Sequence, residues 1–267
     1  PAKPCKYGLK KFVLCDETGY VYSSWLYKGK ASRRKSDVKS VVLDFVDDLP
    51  KDNGQEYVLF FDNYYASLDL SLQLQEKNVY HVCTVRGNRP TWLFSRGMQN
   101  TLSDTADSRQ WTYRVSPDGK LVAYSYSDSK RCNFLSNYCG TNIHTGPHNS
   151  KPEVVHEYNK HMGAVDKSDA MIHLCLPFPH RKNKWTRAFM FHSFKTALVN
   201  SWIMYKHLKA CEWTDEKSKK KWMSMRQNQF LELYVVNQNL WFDRVRYHAR
   251  HSHYPMVNKQ KVTCVHC

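Results

Sequence analysis

EYVLFFDNYYASL, residues 56–68, is the stretch from which the fold can be worked out. Its first half, Tyr57-Val58-Leu59-Phe60-Phe61, is an unbroken run of β-forming apolar residues, the pattern of a buried strand. The run stops on Asp62-Asn63, and Ser67 or Asn63 can begin the helix that follows. A carboxylate at the C-terminal edge of a buried strand stands where open α/β sheets place their chemistry. On this stretch alone, an ordinary Asp-Asn turn after a strand is the simpler account. The choice turns on whether other carboxylates can converge on the same point.

The chain has 267 residues, enough for one large domain or two modest ones. Lysine and arginine outnumber acids by 40 to 24, a net charge of +16. That excess is far more than solubility requires, and it points to a polyanionic partner, with nucleic acid ahead of a membrane surface. Nine cysteines, an odd count without a regular framework, argue against a secreted disulfide scaffold and for reduced thiols in cytosol or nucleus. No signal peptide and no membrane-spanning apolar run is present in the sequence. Beginning on Pro1 and ending on Cys267, it reads as a piece of something longer.

Working outward from Asp62, residues Tyr7 to Asp16 form a second strand-like run ending in an acid. Glu17-Thr18-Gly19 makes a tight turn, and Tyr20 to Tyr27 returns antiparallel. After a basic loop, Asp37 to Leu49 carries a helical apolar stripe (Val38, Val41, Val42, Phe45, Val46 and Leu49). A helix from about Ser67 to Lys77 and a strand over Val79 to Val85 follow the Asp62 strand. Hairpin, helix, strand, helix, strand is the opening of an RNase H-like mixed α/β sheet flanked by helices. One departure is visible: that fold has a third antiparallel strand where residues 28–36 read as a polar basic loop.

Between residues 86 and 152 helical periodicity gives way to short strand-like pieces at Gln110 to Ser116, Leu121 to Ser127 and Lys130 to Cys139. This reads as a β-rich insertion packed beside the main sheet, with Thr141 to Pro152 a loop. Helix returns at Val154 to His161, then in MGAVDKSDA, and over Lys182 to Lys209. The expected organisation is a split core (1–85 and 153–210), the insertion (86–152), a helical extension (211–243) and a basic tail (244–267).

Three acids stand out by position: Asp16 and Asp62 at strand ends and Asp166 at a helix start. In an RNase H-like sheet those ends are neighbours. Bunched carboxylates repel and stay ionised together only with compensating cations. Hard oxygen ligands with open positions suit Mg²⁺ or Mn²⁺. Two such ions about 3.5–4 Å apart can activate a water or 3′-hydroxyl and stabilise the leaving oxygen of a phosphodiester. On a strongly basic chain this points to nucleic-acid strand cleavage or transfer.

Five segments, LCDETGYVYSSWLYKGK, VVLDFVDDL, FFDNYYASLDLSLQLQEKNVYHVCTVRGNR, YNKHMGAVDKSDAMI and RKNKWTRAFMFHSFKTALVNSWIMYK, together resemble the piggyBac transposase family, in the same order. The resemblance runs from about Lys6 to Tyr205. It implies a DDE/D recombinase with an RNase H-like core and a β-rich insertion between its second and third acids. Asp16 in LCDETGY matches the family's first catalytic acid, Asp62 in FFDN its second, and Asp166 in GAVD its third. Asp169, one helical turn on, matches a further acid that members often need as a metal ligand, although a cap or surface charge explains it equally well. Ala164 stands where the family usually has a second glycine before its third acid. The resemblance also implies an N-terminal region ahead of these motifs and a cysteine-rich zinc module after them. Cys264-Val265-His266-Cys267 looks like the first half of such a module, supplying through Cys264 and Cys267 two of the four ligands a structural zinc wants, so zinc is expected only if the module is completed.

Two basic clusters, Arg33-Arg34-Lys35 and Arg181-Lys182 with Lys184, can hold DNA phosphates. A third, Lys217 to Lys221, is either a solvated helix face or a nuclear import signal. The family chemistry would be divalent-metal hydrolysis at transposon ends and attack of the freed 3′-hydroxyl on a TTAA target. Double-stranded DNA as partner, a homodimer in the full-length protein, a nuclear location and no membrane association are the matching expectations. The rival is a domesticated, non-catalytic DNA-binding protein derived from such a transposase. A weaker one is another metal nuclease acting on RNA or branched DNA.

Overall fold

The computed structural model describes residues 9–27, 38–49, 56–87, 110–127, 130–141, 143–146, 149–175, 185–227, 229–230 and 262–266. The strands are β1 (Lys11–Asp16), β2 (Val21–Leu26), β3 (Val58–Phe61), β4 (Tyr80–Val85), β5 (Trp111–Val115), β6 (Val122–Ser127), β7 (Arg131–Ser136), β8 (Ile143–Gly146), β9 (Asn149–Pro152) and β10 (Val262–His266). The helices are α1 (Val38–Asp47), α2 (Leu68–Glu76), α3 (Glu153–His161), α4 (Ala164–Leu174), α5 (Trp185–Cys211) and α6 (Glu216–Met223). The hairpin–helix–strand–helix–strand order expected for residues 7–85 is therefore observed.

An eight-stranded mixed sheet runs in the order β2-β1-β10-β3-β4-β7-β6-β5. All four residues of β3 are buried, and successive side chains serve opposite faces of the sheet. Leu59 and Phe61 join the core that includes α1 and α2, with Val42, Phe45, Leu70 and Leu74. Val58 and Phe60 join the other face, with Val154, Val155 and Tyr158 of α3. The apolar run of residues 57–61 has no polar face because helices cover it from both sides. Ser67 caps α2 by accepting the amide of Leu70 at 3.1 Å, as its sequence position suggested.

Two expectations are corrected. The insertion strands do not lie beside the main sheet: β7 pairs antiparallel with β4, so β5, β6 and β7 extend the same sheet. Residues 141–152 are not all loop, because β8 and β9 pair antiparallel from Ile143↔Pro152 to Gly146↔Asn149. A backbone ladder needs no apolar alternation, and this polar segment gave none. The basic tail, read as extended, contributes a strand, β10, antiparallel to β1 and parallel to β3. Residues 28–37, where the fold calls for a third antiparallel strand and the sequence reads as a polar basic loop, lie outside the described residues.

The chain divides into two compact units, residues 1–167 with 259–267, and residues 168–258. The second contains α5 and α6, the latter capped by Asp215, whose carboxylate accepts the Ser218 amide at 2.8 Å. Trp202 donates its indole N–H to the Met225 carbonyl in the same unit. Among the described residues, no helix is long and apolar enough to cross a membrane.

Candidate functional site

Asp16 closes β1 and is held by its own turn. Its Oδ1 accepts the Thr18 amide at 2.9 Å, the Thr18 hydroxyl at 2.5 Å and the Tyr20 amide at 3.0 Å. The Gly19 amide donates to the Asp16 carbonyl, and Gly19 has φ +88°, a left-handed conformation that glycine adopts without Cβ strain. The motif Asp-x-Thr-Gly thus builds a rigid loop whose fixed point is the carboxylate.

Asp62 follows β3 directly, and its Oδ1 accepts the Asn63 amide at 2.6 Å and the Thr84 hydroxyl at 3.2 Å. Thr84 Oγ1 lies 3.4 Å from the hydroxyl of Tyr158 on α3. Beside them opens a cleft of about 630 Å³, lined by Asp62, Asn63, Thr84, Arg86, Arg131 and Tyr158 among others. Arg86 is oriented by donating from Nε to the Asn63 side-chain oxygen at 2.8 Å. A cleft with one carboxylate, amides and two guanidinium groups suits a phosphate-bearing ligand better than an apolar one. None of Thr84, Arg86, Arg131 and Tyr158 was singled out from sequence as a site residue. The alternation that puts Thr84 two residues beyond Val82 on the Phe60 face was the available signal for the first of them.

Asp166 sits exposed in the first turn of α4, whose Ala164 and Val165 are anchored in the core. The neighbouring Lys167 donates from Nζ to the Glu17 carbonyl at 2.9 Å. The Glu17 carboxylate lies 3.4 Å from Nε2 of His161, the last residue of α3, whose fully buried ring stacks on Phe60 at 4.4 Å. The first and third acids are thereby brought into one neighbourhood through the residues next to them. Asp169 is exposed further along α4 and belongs to the second compact unit.

The three carboxylates do not form a metal site in this arrangement. Among the described residues no three His, Cys, Asp or Glu groups lie close enough to hold an ion. The sheet gives the reason, because β10 stands between β1 and β3. Asp16 faces Val262 and Phe60 faces Thr263, so Asp16 is level with Leu59, three residues from Asp62. Three residues along and two strand spacings across put the two backbones well over 10 Å apart. The neighbouring strand ends expected from an RNase H-like sheet are therefore not met here. Arg33, Arg34, Lys35, Arg181, Lys182, Lys184 and Cys267 lie outside the described residues, and Cys264 falls within β10.

Comparison with known proteins adds to this geometry. Residues 1–202 match the family model described as Transposase IS4. The human PiggyBac transposable element-derived protein 3 is 24% identical over 224 residues, covering 76% of this chain and 36% of that protein. A solved piggyBac transposase, in a synaptic complex with hairpin DNA, superposes with a TM-score of 0.64 at 23% identity, covering 87% of this chain and 47% of its own. The mixed sheet flanked by helices is thus similar to that of a piggyBac transposase. The chain spans about a third of the curated relative's length and about half of the solved one's.

Proposed function

From the premise that this chain belongs to the Transposase IS4 family, we propose that it is the core of a piggyBac-like transposase, cutting and joining DNA at TTAA sites through Asp16, Asp62 and Asp166. The observation that carries the reading is that α3 touches the surroundings of all three acids. Tyr158 reaches Thr84, which holds Asp62; His161 reaches Glu17 beside Asp16; and the chain turns directly from α3 into α4 and Asp166. Three motif acids far apart in sequence are unlike random surface carboxylates in sharing one supporting helix. The residues' own work is then positional. Thr84 and the Asn63 amide fix Asp62, the Asp16 turn fixes its carboxylate, and Arg86 and Arg131 offer donors to a phosphodiester in the cleft. Mg²⁺ or Mn²⁺ is the cation that carboxylates gathered from these positions would require, with Asp169 as a further ligand. Gathering them requires the β10 strand to leave its place between β1 and β3.

The wider proposal includes double-stranded DNA as partner, contacted by Arg33, Arg34, Lys35, Arg181, Lys182 and Lys184. It also includes a nuclear location and a homodimer of the full-length protein. A net charge of +16 supports the DNA partner. One observation favours a second reading, a domesticated DNA-binding protein without catalysis: the acids are not assembled in the arrangement described, and a strand of the same chain stands between two of them.

A single experiment separates the two. Full-length protein is incubated with labelled TTAA-bounded DNA and unrelated DNA and RNA, with Mn²⁺, Mg²⁺ or a chelator. The catalytic reading expects divalent-dependent cleavage confined to the TTAA-bounded ends, reduced at least a hundredfold by Asp62→Asn with binding unchanged (about 3 kcal/mol of transition-state stabilisation). Salt-sensitive binding that ignores both the divalent ion and Asp62→Asn would establish the second reading instead. Cleavage of unrelated substrates would make it a general nuclease.

A further inference from the structure

We propose that Glu17, His161 and Lys167 are positioning residues that clasp the turn bearing Asp16 to the corner bearing Asp166. This rests on the catalytic reading above, and it assigns roles to three residues outside the acid set. The turn from Asp16 to Tyr20 is internally rigid, held by three donors to Asp16 Oδ1 and by the Asp16 amide donating to the Tyr20 carbonyl. A rigid loop can be aimed by holding it at one point, and that point is Glu17. Its carbonyl accepts Lys167 Nζ at 2.9 Å, and its carboxylate lies 3.4 Å from His161 Nε2, an ion pair when the ring carries both protons.

The other end of the clasp is equally fixed. His161 is fully buried, stacked on Phe60 with an interplanar angle of 24°, and its Nδ1 lies 2.9 Å from the Glu157 carbonyl and 3.8 Å from the Glu157 carboxylate. The ring is thus tied to the same strand whose end carries Asp62. Lys167 projects from the first turn of α4, where its amide donates to the Gly163 carbonyl and the preceding Val165 is buried. Asp166 is its immediate neighbour. A buried histidine and a lysine reach from two successive helices to one residue 144 and 150 positions earlier, contacts that neither the histidine's packing on Phe60 nor its bond to Glu157 requires. Their shared target beside the first acid is what assigns them a role in spacing the acids.

The test uses the full-length protein and the TTAA-bounded substrate. Lys167→Met is expected to slow cleavage at saturating DNA about tenfold or more, with the DNA concentration for half-maximal rate and the melting temperature unchanged, as for a misplaced reacting group. Lys167→Arg, which keeps a donor for the Glu17 carbonyl, is expected to restore most of the rate. His161→Phe, which keeps the ring against Phe60 and removes both nitrogens, is expected to slow cleavage to the same degree, its melting temperature falling with the lost bond to the Glu157 carbonyl. Wild-type rates in Lys167→Met and His161→Phe overturn the proposal. Failure of the catalytic reading has a different signature, since Asp16→Asn then cleaves like the parent or neither cleaves. In that event hydrogen exchange at the Thr18 and Tyr20 amides decides the clasp: exchange about tenfold faster in Lys167→Met supports it, and unchanged exchange overturns it.

Discussion

Asp16 and Asp62 terminate strands of one sheet, yet they are held in opposite ways. The partners of Asp16 Oδ1 lie two and four residues away, inside a single loop. Asp62 has one neighbouring amide, but its other donor, Thr84, is 22 residues on, and Thr84 in turn meets Tyr158 another 74 residues later. One carboxylate is placed by local chain geometry and the other by packing of β3, β4 and α3. The difference teaches that damage to the core should disturb the donors of Asp62 first, while damage to the turn should disturb those of Asp16 first.

The largest break of that symmetry is Phe60→Ala. Phe60 is fully buried between β-strands and α3, and its loss should cost about 3–5 kcal/mol in urea unfolding. Amide exchange should rise around Asp62 and Thr84 well before it rises at Thr18 and Tyr20.

Acid provides the next effect. His81 of β4 is fully buried beside Phe61, and neither ring nitrogen has a hydrogen-bond partner among the described residues. Burial holds its pKa down to about 3 from an ordinary 6.5, against a smaller opposing effect of Asn137. Above pH 6.5 both folded and unfolded chains carry a neutral ring, so the stability is fully present. Below it the unfolded chain takes up a proton that the folded chain refuses, and stability falls until the pH nears 3. At pH 5 the loss from this group is about 2 kcal/mol. Denaturation at pH 7 and pH 5 should show that difference in the parent, and His81→Leu should remove most of it.

Gly19→Ala works from the other side. A Cβ at φ +88° costs roughly 1–2 kcal/mol, and it should loosen the Asp16 turn without changing exchange at Asp62. The smallest effect belongs to Thr84→Val, about 1 kcal/mol for its two long hydrogen bonds, to Asp62 and to Tyr158. Its value lies in the readout: the side-chain environment of Asp62 should shift, while that of Asp16 should not.

Much of this was legible in the sequence. Strand after strand closed by an acid, Ser67 as a cap and the tight turn at Gly19 are consequences of residues within a few positions of each other. The hairpin β8–β9 escaped because a polar segment carries no burial pattern, and its pairing rests on backbone groups that every residue has. The roles of Thr84, Tyr158, His161 and Lys167 escaped because each is an ordinary residue on its own element. Only the pairing of Phe60 with Val82 brings Thr84 level with Asp62, and only the packing of α3 brings Tyr158 to it.

The sequence by itself therefore determined the strands β1 to β7, the helices and the acids at the ends of β1 and β3, because hydrophobic period, turn chemistry and capping act over a few residues. The tertiary structure alone decided who stands beside whom. It placed β10 between the two acid-bearing strands, continued the sheet into the insertion and laid α3 across the acids' supports. Strand neighbours are chosen by long-range backbone pairing and by the shape of a shared core, and neither quantity is written in any single stretch of chain.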